Sequence, residues 1–404
     1  MIRRNRTSTS STDRARRIRS SAAYEDELQA QGTDPYAEQT GGGGGGRPGS
    51  SSSAVARRRG PSIKVILGLA ALLLLIIATV GGILLWQRVS AFNESVSSAP
   101  AASSALWGPL HGDEPVNIAL FGYGGTEHKS GNYLADSIQI MSVDPKTNKT
   151  TVIPIPRDFW IEGLPQLPDN GKINEAFAIG WQQGGPAEAA DRTTEILSEV
   201  TGLQIDHWMA IDFAGFHEMI DAVGGIDVNN PRAFRYTWNP WKFDHNIWDA
   251  RFAQGKLHLD GERALAYARA RYTSVPRESS DFARSIRQQR VLGGLRSKLG
   301  SGGIGSLGPG LSMMDALAGR MKTDLSAIDL FLLSSHLSPD RRLELKEGRI
   351  LEATANTIGQ YILVVRGRES SSDYAPLHKY LRRQMAKPFP ERRGSPAASP
   401  SGGS

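Results

Sequence analysis

Residues 65–86 form a run of 22 residues without a charge, and the run separates two stretches that cannot share a core. As a helix rising about 1.5 Å per residue it would reach roughly 33 Å, enough to cross a hydrocarbon layer of about 30 Å. Arg57, Arg58, Arg59 and Lys64 precede it, whereas the nearest charges after it are Arg88 and Glu94. That asymmetry predicts a single-pass anchor with the N-terminus in the cytoplasm and the C-terminal bulk extracytoplasmic. Trp86 falls where interfacial aromatics sit. A cleaved signal or a buried core helix are the alternatives; the first ordinarily carries a shorter apolar segment of about 7–15 residues.

The expected organisation is a disordered cytoplasmic arm over residues 1–62, a transmembrane helix over 63–88, a stalk over 89–114, one extracytoplasmic domain over 115–368, and a mostly disordered tail over 369–404. The arm and tail are Ser, Gly, Pro and charge, compositions that cannot supply a core. The chain has a formal charge of +6, but residues 1–64 carry twelve Lys/Arg and six Asp/Glu, so the excess lies in the arm and the remainder is neutral. A domain without a basic face is a poor nucleic-acid binder, and none is expected as a partner. Cysteine is absent, which excludes disulfides, thiolate metal sites and cysteine nucleophiles.

Apolar runs at residues 116–121, 137–143 and 150–155 read as strands, the last two joined by the turn sequence Asp144-Pro145-Lys146-Thr147-Asn148. Helical patterns follow at 187–200, 213–223, 261–270, 282–299 and 313–337. Shorter strands fit 207–211, 225–228 and 361–365. Strands alternating with helices, with at least one hairpin, predict an α/β fold: an α/β/α sandwich around a mixed central sheet, preceded by one transmembrane helix.

Between Tyr267 and Arg290 stand six arginines, Arg269, Arg271, Arg277, Arg284, Arg287 and Arg290, with one aspartate, Asp281, among them. Guanidinium forks match phosphate geometry, so a folded cluster of this kind suggests a phosphate or pyrophosphate site; a solvated helix face is the plainer reading. Asp281 is a candidate helix N-cap, and Arg284, Arg287 and Gln288 fall within the next two turns. Pro156-Arg157-Asp158 ends a strand with its backbone fixed, which orients Arg157 or leaves a surface ion pair. Asp136 opens a strand, as a turn residue or as one carboxylate for a hard cation that takes its other ligands from substrate oxygens and water. The glycine turn at residues 122–125 lacks the Gly-Lys-Ser/Thr of a nucleotide loop. The aromatic loop from Trp238 to Trp248 could meet sugars or lipid, or cover the core.

In order, these pieces resemble the LytR-CpsA-Psr family of cell-envelope transferases. The likeness rests on Asp136-Ser137, Ile155-Pro156-Arg157-Asp158, Lys172-Ile173-Asn174-Glu175-Ala176, the turn at 223–228, the segment 259–271 ending in Arg269-Ala270-Arg271, and Asp281-Phe282-Ala283-Arg284 leading to Arg287-Gln288. The resemblance implies a membrane-anchored phosphotransferase that moves a glycopolymer from a polyprenyl-pyrophosphate carrier onto peptidoglycan. Its partners would be that glycopolymer, peptidoglycan and the membrane. It further implies Asp136 as ligand of Mg2+ (or Mn2+), with Arg157, Arg269, Arg271, Asp281 and Arg284 catalytic. Arg157, Arg269, Arg271, Arg284, Arg287 and Gln288 would bind substrate. Where many members carry an aspartate and an arginine ahead of the Asp136 position, this chain has Gly124 and Leu134, which leaves Asp113 or Glu127 to compensate. A polyprenyl-pyrophosphate phosphatase and a non-catalytic envelope-polymer or isoprenoid-binding regulator are the alternative functions.

Overall fold

The computed structural model describes residues 63–97, 114–126, 133–238, 248–300 and 307–390. The chain divides into two units, Met1–Ala70 and Ala71–Ser404, and the sheet and cavities belong to the second. Helix α1 spans Ile63–Val96. It is the one helix among the described residues long and apolar enough to cross a membrane. Its large apolar side chains from Leu72 to Trp86 are exposed, which is not how a core helix is placed.

Strands β1 (Val116–Tyr123), β2 (Ala135–Asp144) and β3 (Lys149–Ile155) form an antiparallel meander. The sequence explains why they sit at the centre: along β1, Ala119, Phe121 and Tyr123 enter one core while Val116 and Ile118 enter another on the opposite face. A strand covered on both sides reads as a continuous apolar run. The short pair β4 (Trp160–Ile161) and β5 (Gly171–Lys172) leads into α2 (Ile173–Thr201). Gly185, at φ 80°, and Pro186 break α2 in the middle. Then come β6 (His207–Asp212), α3 (Phe213–Ala222), β7 (Ile226–Asn230), the hairpin β8 (Phe234–Trp238) and β9 (Trp248–Phe252), and β10 (Gly255–Leu259), which pairs with β7. Helices α4 (Gly261–Arg269), α5 (Asp281–Gly300) and α6 (Leu307–Leu317), β11 (Met321–Thr323), α7 (Ala327–Ser334), β12 (Arg341–Arg342), the hairpin β13 (Leu351–Ala355) and β14 (Tyr361–Val365), and α8 (Ala375–Met385) complete the order.

The central sheet runs β11-β6-β1-β2-β3-β12. It is mixed, with β1 parallel to β6 and β3 parallel to β12. One core packs α2, α8 and the β13–β14 hairpin against the sheet, and a second gathers α3, α4, α5 and the β7–β10 pair. The expected α/β architecture with a mixed central sheet is present.

Three details differ from the sequence reading. The segment 313–337, expected as one helix, is α6, β11 and α7: Gly319 at φ 75° follows the end of α6, and residues 321–323 pair with β6. The segment expected to open a stalk continues α1 as far as Val96, where Phe92 and Val96 are buried in the second core. Beyond Arg368, within the tail expected to be mostly disordered, α8 buries Leu377 and Leu381 on the first core and extends the domain. The aromatic loop, Asp113 and Glu127 lie outside the described residues, apart from the loop's two ends in β8 and β9.

Candidate functional site

The C-terminal end of β3 opens onto a cavity of about 850 Å³, adjoined by a smaller one of about 120 Å³. Three separate stretches of chain supply the basic groups. Pro156 follows Ile155, the last residue of β3 paired with β2, and its fixed backbone hands Arg157 into both cavities. Helix α4, capped at its start by Asp260 accepting from the Arg263 N–H, delivers Arg269 to the smaller cavity at its last residue. The backbone turns out of the helix at Ala270, so that Arg271 reaches both cavities instead of diverging from Arg269. Arg284 and Gln288, one turn apart on α5, line both as well.

The carboxylates lie between these cations. Arg157 Nη1 donates to Asp136 Oδ1 at 2.6 Å, and Arg269 Nη2 stands 3.8 Å from Asp136 Oδ2. Burial opposes ionisation of Asp136, but Arg157, Arg269 and Arg284 together hold its carboxyl below the ordinary carboxylate value. Asp158 accepts from Lys172 Nζ at 2.7 Å. Asp281 takes Arg271 Nη2 at 2.9 Å and Arg284 Nη2 at 3.1 Å. The N-terminal cap of α5 is instead Ser280, whose hydroxyl accepts from the Ala283 N–H at 3.1 Å, and Asp281 is left to organise the two guanidiniums. Arg269 also lies over the Phe213 ring, 4.0 Å from its centroid.

Two guanidinium groups are less well satisfied by the protein than the others. Burial, reinforced by the like charges of Arg271 and Arg157, pulls Arg284 down to about 10 against the attraction of Asp281. Arg157 Nε is buried without a hydrogen-bond acceptor. Both would gain from an anion with several oxygens. The smaller cavity also contains Tyr236, whose hydroxyl is pushed up by burial despite the surrounding arginines.

Arg287 is not brought to either cavity. It is fully buried, donating to Tyr267 O, Ala270 O, Glu278 O and Glu278 Oε2, with its guanidinium 4.9 Å from the Phe234 ring centroid. It ties the α4 end and the 276–278 turn to α5, and so holds Arg269, Arg271 and Arg284 in place from behind. Gln288 does reach the site, where its Oε1 accepts from Ser137 Oγ at 3.3 Å.

Lys172, Arg342, Lys346, Glu344, Glu347 and Tyr361 also line the larger cavity and were not singled out from the sequence. Lys172 had a signal, as the first residue of the Lys172–Ala176 motif and the residue preceding α2. The others come from a part of the chain without motif-like spacing.

As a metal seat the arrangement offers little. Among the described residues no three His, Asp or Glu side chains gather as ligands. Asp136 Oδ2 has only the 3.8 Å approach of Arg269, so one carboxylate oxygen could face a hard cation. The glycine turn supplies no second: Gly125 has φ 78°, and a Cβ there would lie 2.8 Å from the Asp212 side chain, so close packing and a left-handed backbone account for it.

The sequence model of the LytR_cpsA_psr family matches residues 87–372. A polyisoprenyl-teichoic acid–peptidoglycan teichoic acid transferase TagU of Enterococcus faecalis is 28% identical over 267 residues, covering 66% of this chain and 80% of that protein. Its namesake of Bacillus cereus is 30% identical over 218 residues, 54% of this chain and 63% of that protein. The crystal structure of B. subtilis TagV shares the fold, with a TM-score of 0.50 at 22% identity over 68% of this chain and 98% of that one.

Proposed function

The chain belongs to the LytR_cpsA_psr family, and on that premise we propose that it is a membrane-anchored phosphotransferase moving a glycopolymer from a polyprenyl-pyrophosphate carrier onto peptidoglycan. The observation that carries the reading is the convergence of Arg157, Arg269, Arg271 and Arg284, from three distant stretches, on two adjoining cavities. The named activity of the TagU relatives supports it.

In the reaction, an acceptor hydroxyl oxygen forms a bond to the phosphorus that bears the glycan. The bridging bond to the carrier's phosphate breaks, the carrier leaves as its monophosphate, and the hydroxyl proton is released. Such a transfer needs charge stabilisation and positioning more than covalent help. Arg157 and Arg284 would meet the non-bridging oxygens first, since each has donor capacity its carboxylate neighbours leave unused. Arg269, backed by the Phe213 ring, would grip from the side of the smaller cavity, and Arg271 from the side of Asp281. Asp136, Asp158 and Asp281 keep these forks oriented while the site waits. A Mg2+ or Mn2+ ion held by Asp136 and by the pyrophosphate oxygens would add Lewis-acid neutralisation of the same charge. The positive charge before the anchor favours the cytoplasmic N-terminus, which puts the site on the outer face.

The test is turnover by the full-length protein with a polyprenyl-pyrophosphate-linked glycopolymer and a peptidoglycan acceptor. Glycan joined covalently through phosphate to the acceptor supports transfer. Water-cleaved product alone supports the phosphatase, and binding without turnover, unchanged in Arg269→Ala, supports a regulator.

A further inference from the structure

Helix α7 carries Ile328, Phe331 and Leu332 at positions i, i+3 and i+4, a single helical face. They are 61%, 73% and 39% exposed, while Leu333 on the opposite side is buried. The only acidic residue of α7, Asp329, is drawn inward and bonded to the N-cap Ser326, so the outer face has no charge. Single exposed apolar residues are ordinary; three on one turn of a short helix are a patch.

The place of that patch identifies what covers it. Helix α1 leaves its apolar segment at Trp86 and is then fastened to this part of the fold. Arg88 forks onto Asp315 of α6 at 2.6 and 3.2 Å, and Phe92 and Val96 are buried. Lys322 Nζ donates to Ser95 O at 2.8 Å, and the first N–H of α7, on Ala327, donates to Asn93 Oδ1 at 2.8 Å. Asn93 stands seven residues beyond Trp86, roughly 10 Å along a helix axis. A bilayer of about 40–45 Å overall has a polar layer of roughly 5–7 Å beyond its hydrocarbon on each side. The start of α7 is therefore held about 3–5 Å beyond that layer when α1 stands upright, and tilt of the anchor lowers it toward the layer.

We propose that the Ile328–Phe331–Leu332 face of α7 inserts into the interfacial layer of the bilayer that α1 crosses. The protein then rests on the membrane at two points, which fixes the height and orientation of the cavity relative to a lipid carrier. The inference rests on the anchored reading of α1 and is independent of which side of the membrane the domain occupies.

The chain has no native cysteine, so single labelled cysteines report cleanly. Phe331→Cys, Leu75→Cys in the anchor, and Ile358→Cys, 74% exposed on the β13–β14 hairpin, would each carry an environment-sensitive fluorophore. The full chain is reconstituted into phosphatidylcholine–phosphatidylglycerol vesicles with nitroxide lipids labelled at the headgroup or deep in the acyl chain. The expected result is deep quenching at 75, and at 331 a blue shift with quenching by headgroup nitroxides several-fold stronger than at 358. A label at 331 as wet as that at 358, with 75 dry, overturns the proposal alone. A shifted label at 331 that no nitroxide quenches means that protein, such as a second copy, covers the face, and overturns it too. Wet labels at both 75 and 331 overturn the anchored reading itself.

Discussion

Arg284 and Arg287 stand three positions apart on α5, and both are withdrawn from solvent, 11% and 0% exposed at the side chain, yet their donors end in different places. Arg287 spends its guanidinium on the carbonyls of Tyr267, Ala270 and Glu278 and on the Glu278 carboxylate. Among the described residues Arg284 has one ion-pair partner, Asp281, which it shares with Arg271, and it faces both cavities. A buried charge with its bonds complete is architecture. A buried charge with its bonds incomplete is costly to the fold and available to a ligand.

The contrast is broken most easily at its structural end. Replacing Arg287 by Met removes a donor from three carbonyls and leaves the buried Glu278 carboxylate with Arg232, 3.4 Å away, as its remaining ion-pair partner among the described residues, so unfolding in urea should lose about 3 kcal/mol. A variant as stable as wild type would mean Arg287 is not the brace described. At the other end, Arg284→Met should lower transfer by about 10²–10³-fold, the loss expected from one preorganised donor. Its melting temperature should stay level or rise, because the fold no longer holds a desolvated cation. A melting temperature that fell as far as that of Arg287→Met would erase the distinction.

Asp281 sharpens the comparison, since it organises the ligand-facing arginines without touching Arg287. Asp281→Asn should cost transfer about tenfold, near the lower end for a charge-assisted hydrogen bond of about 1.5 kcal/mol, with little change in urea midpoint. Asp136→Asn should weaken the dependence of the rate on added Mg2+; an unchanged metal titration would leave the arginines as the sole charge stabilisers. The smallest effect is in pH. Asp136 has its folded value held below the ordinary one, so its contribution to stability is present above that ordinary value and lost as pH falls through the folded value. The stability difference between wild type and Asp136→Asn should therefore be constant from pH 7 to about 4 and shrink only below that. A difference that closed near pH 6 would contradict the ion pairing.

The sequence located β1, β2 and β3 because strands buried on both faces leave an unbroken apolar run, and it located the long apolar helix α1 by a similar uncharged run. It placed Arg157, Arg269, Arg271 and Arg284 together through spacing and resemblance, and the structure brings those four to one place. It could not separate Arg284 from Arg287. Their i, i+3 spacing is the same whether a guanidinium meets a cavity or a carbonyl, and the deciding acceptors at Tyr267, Ala270 and Glu278 are set by how α4 and α5 cross. The apolar stretch 313–337 hid a strand of three residues, since β11 exists only because β6 offers a free edge. Arg342 and Tyr361 entered the cavity wall from β12 and β14, whose pairing with β3 and β13 no local pattern announces.

The proposed transfer requires the four arginines outside the brace to hold a pyrophosphate together. Calorimetric titration of a short-chain polyprenyl pyrophosphate into the full-length protein tests this, with wild type, Arg284→Met and Arg157→Ala compared after each variant's melting curve is recorded. Saturable binding in wild type, weakened in both variants while their folds persist, is the predicted result. Equal affinity in all three proteins would contradict it.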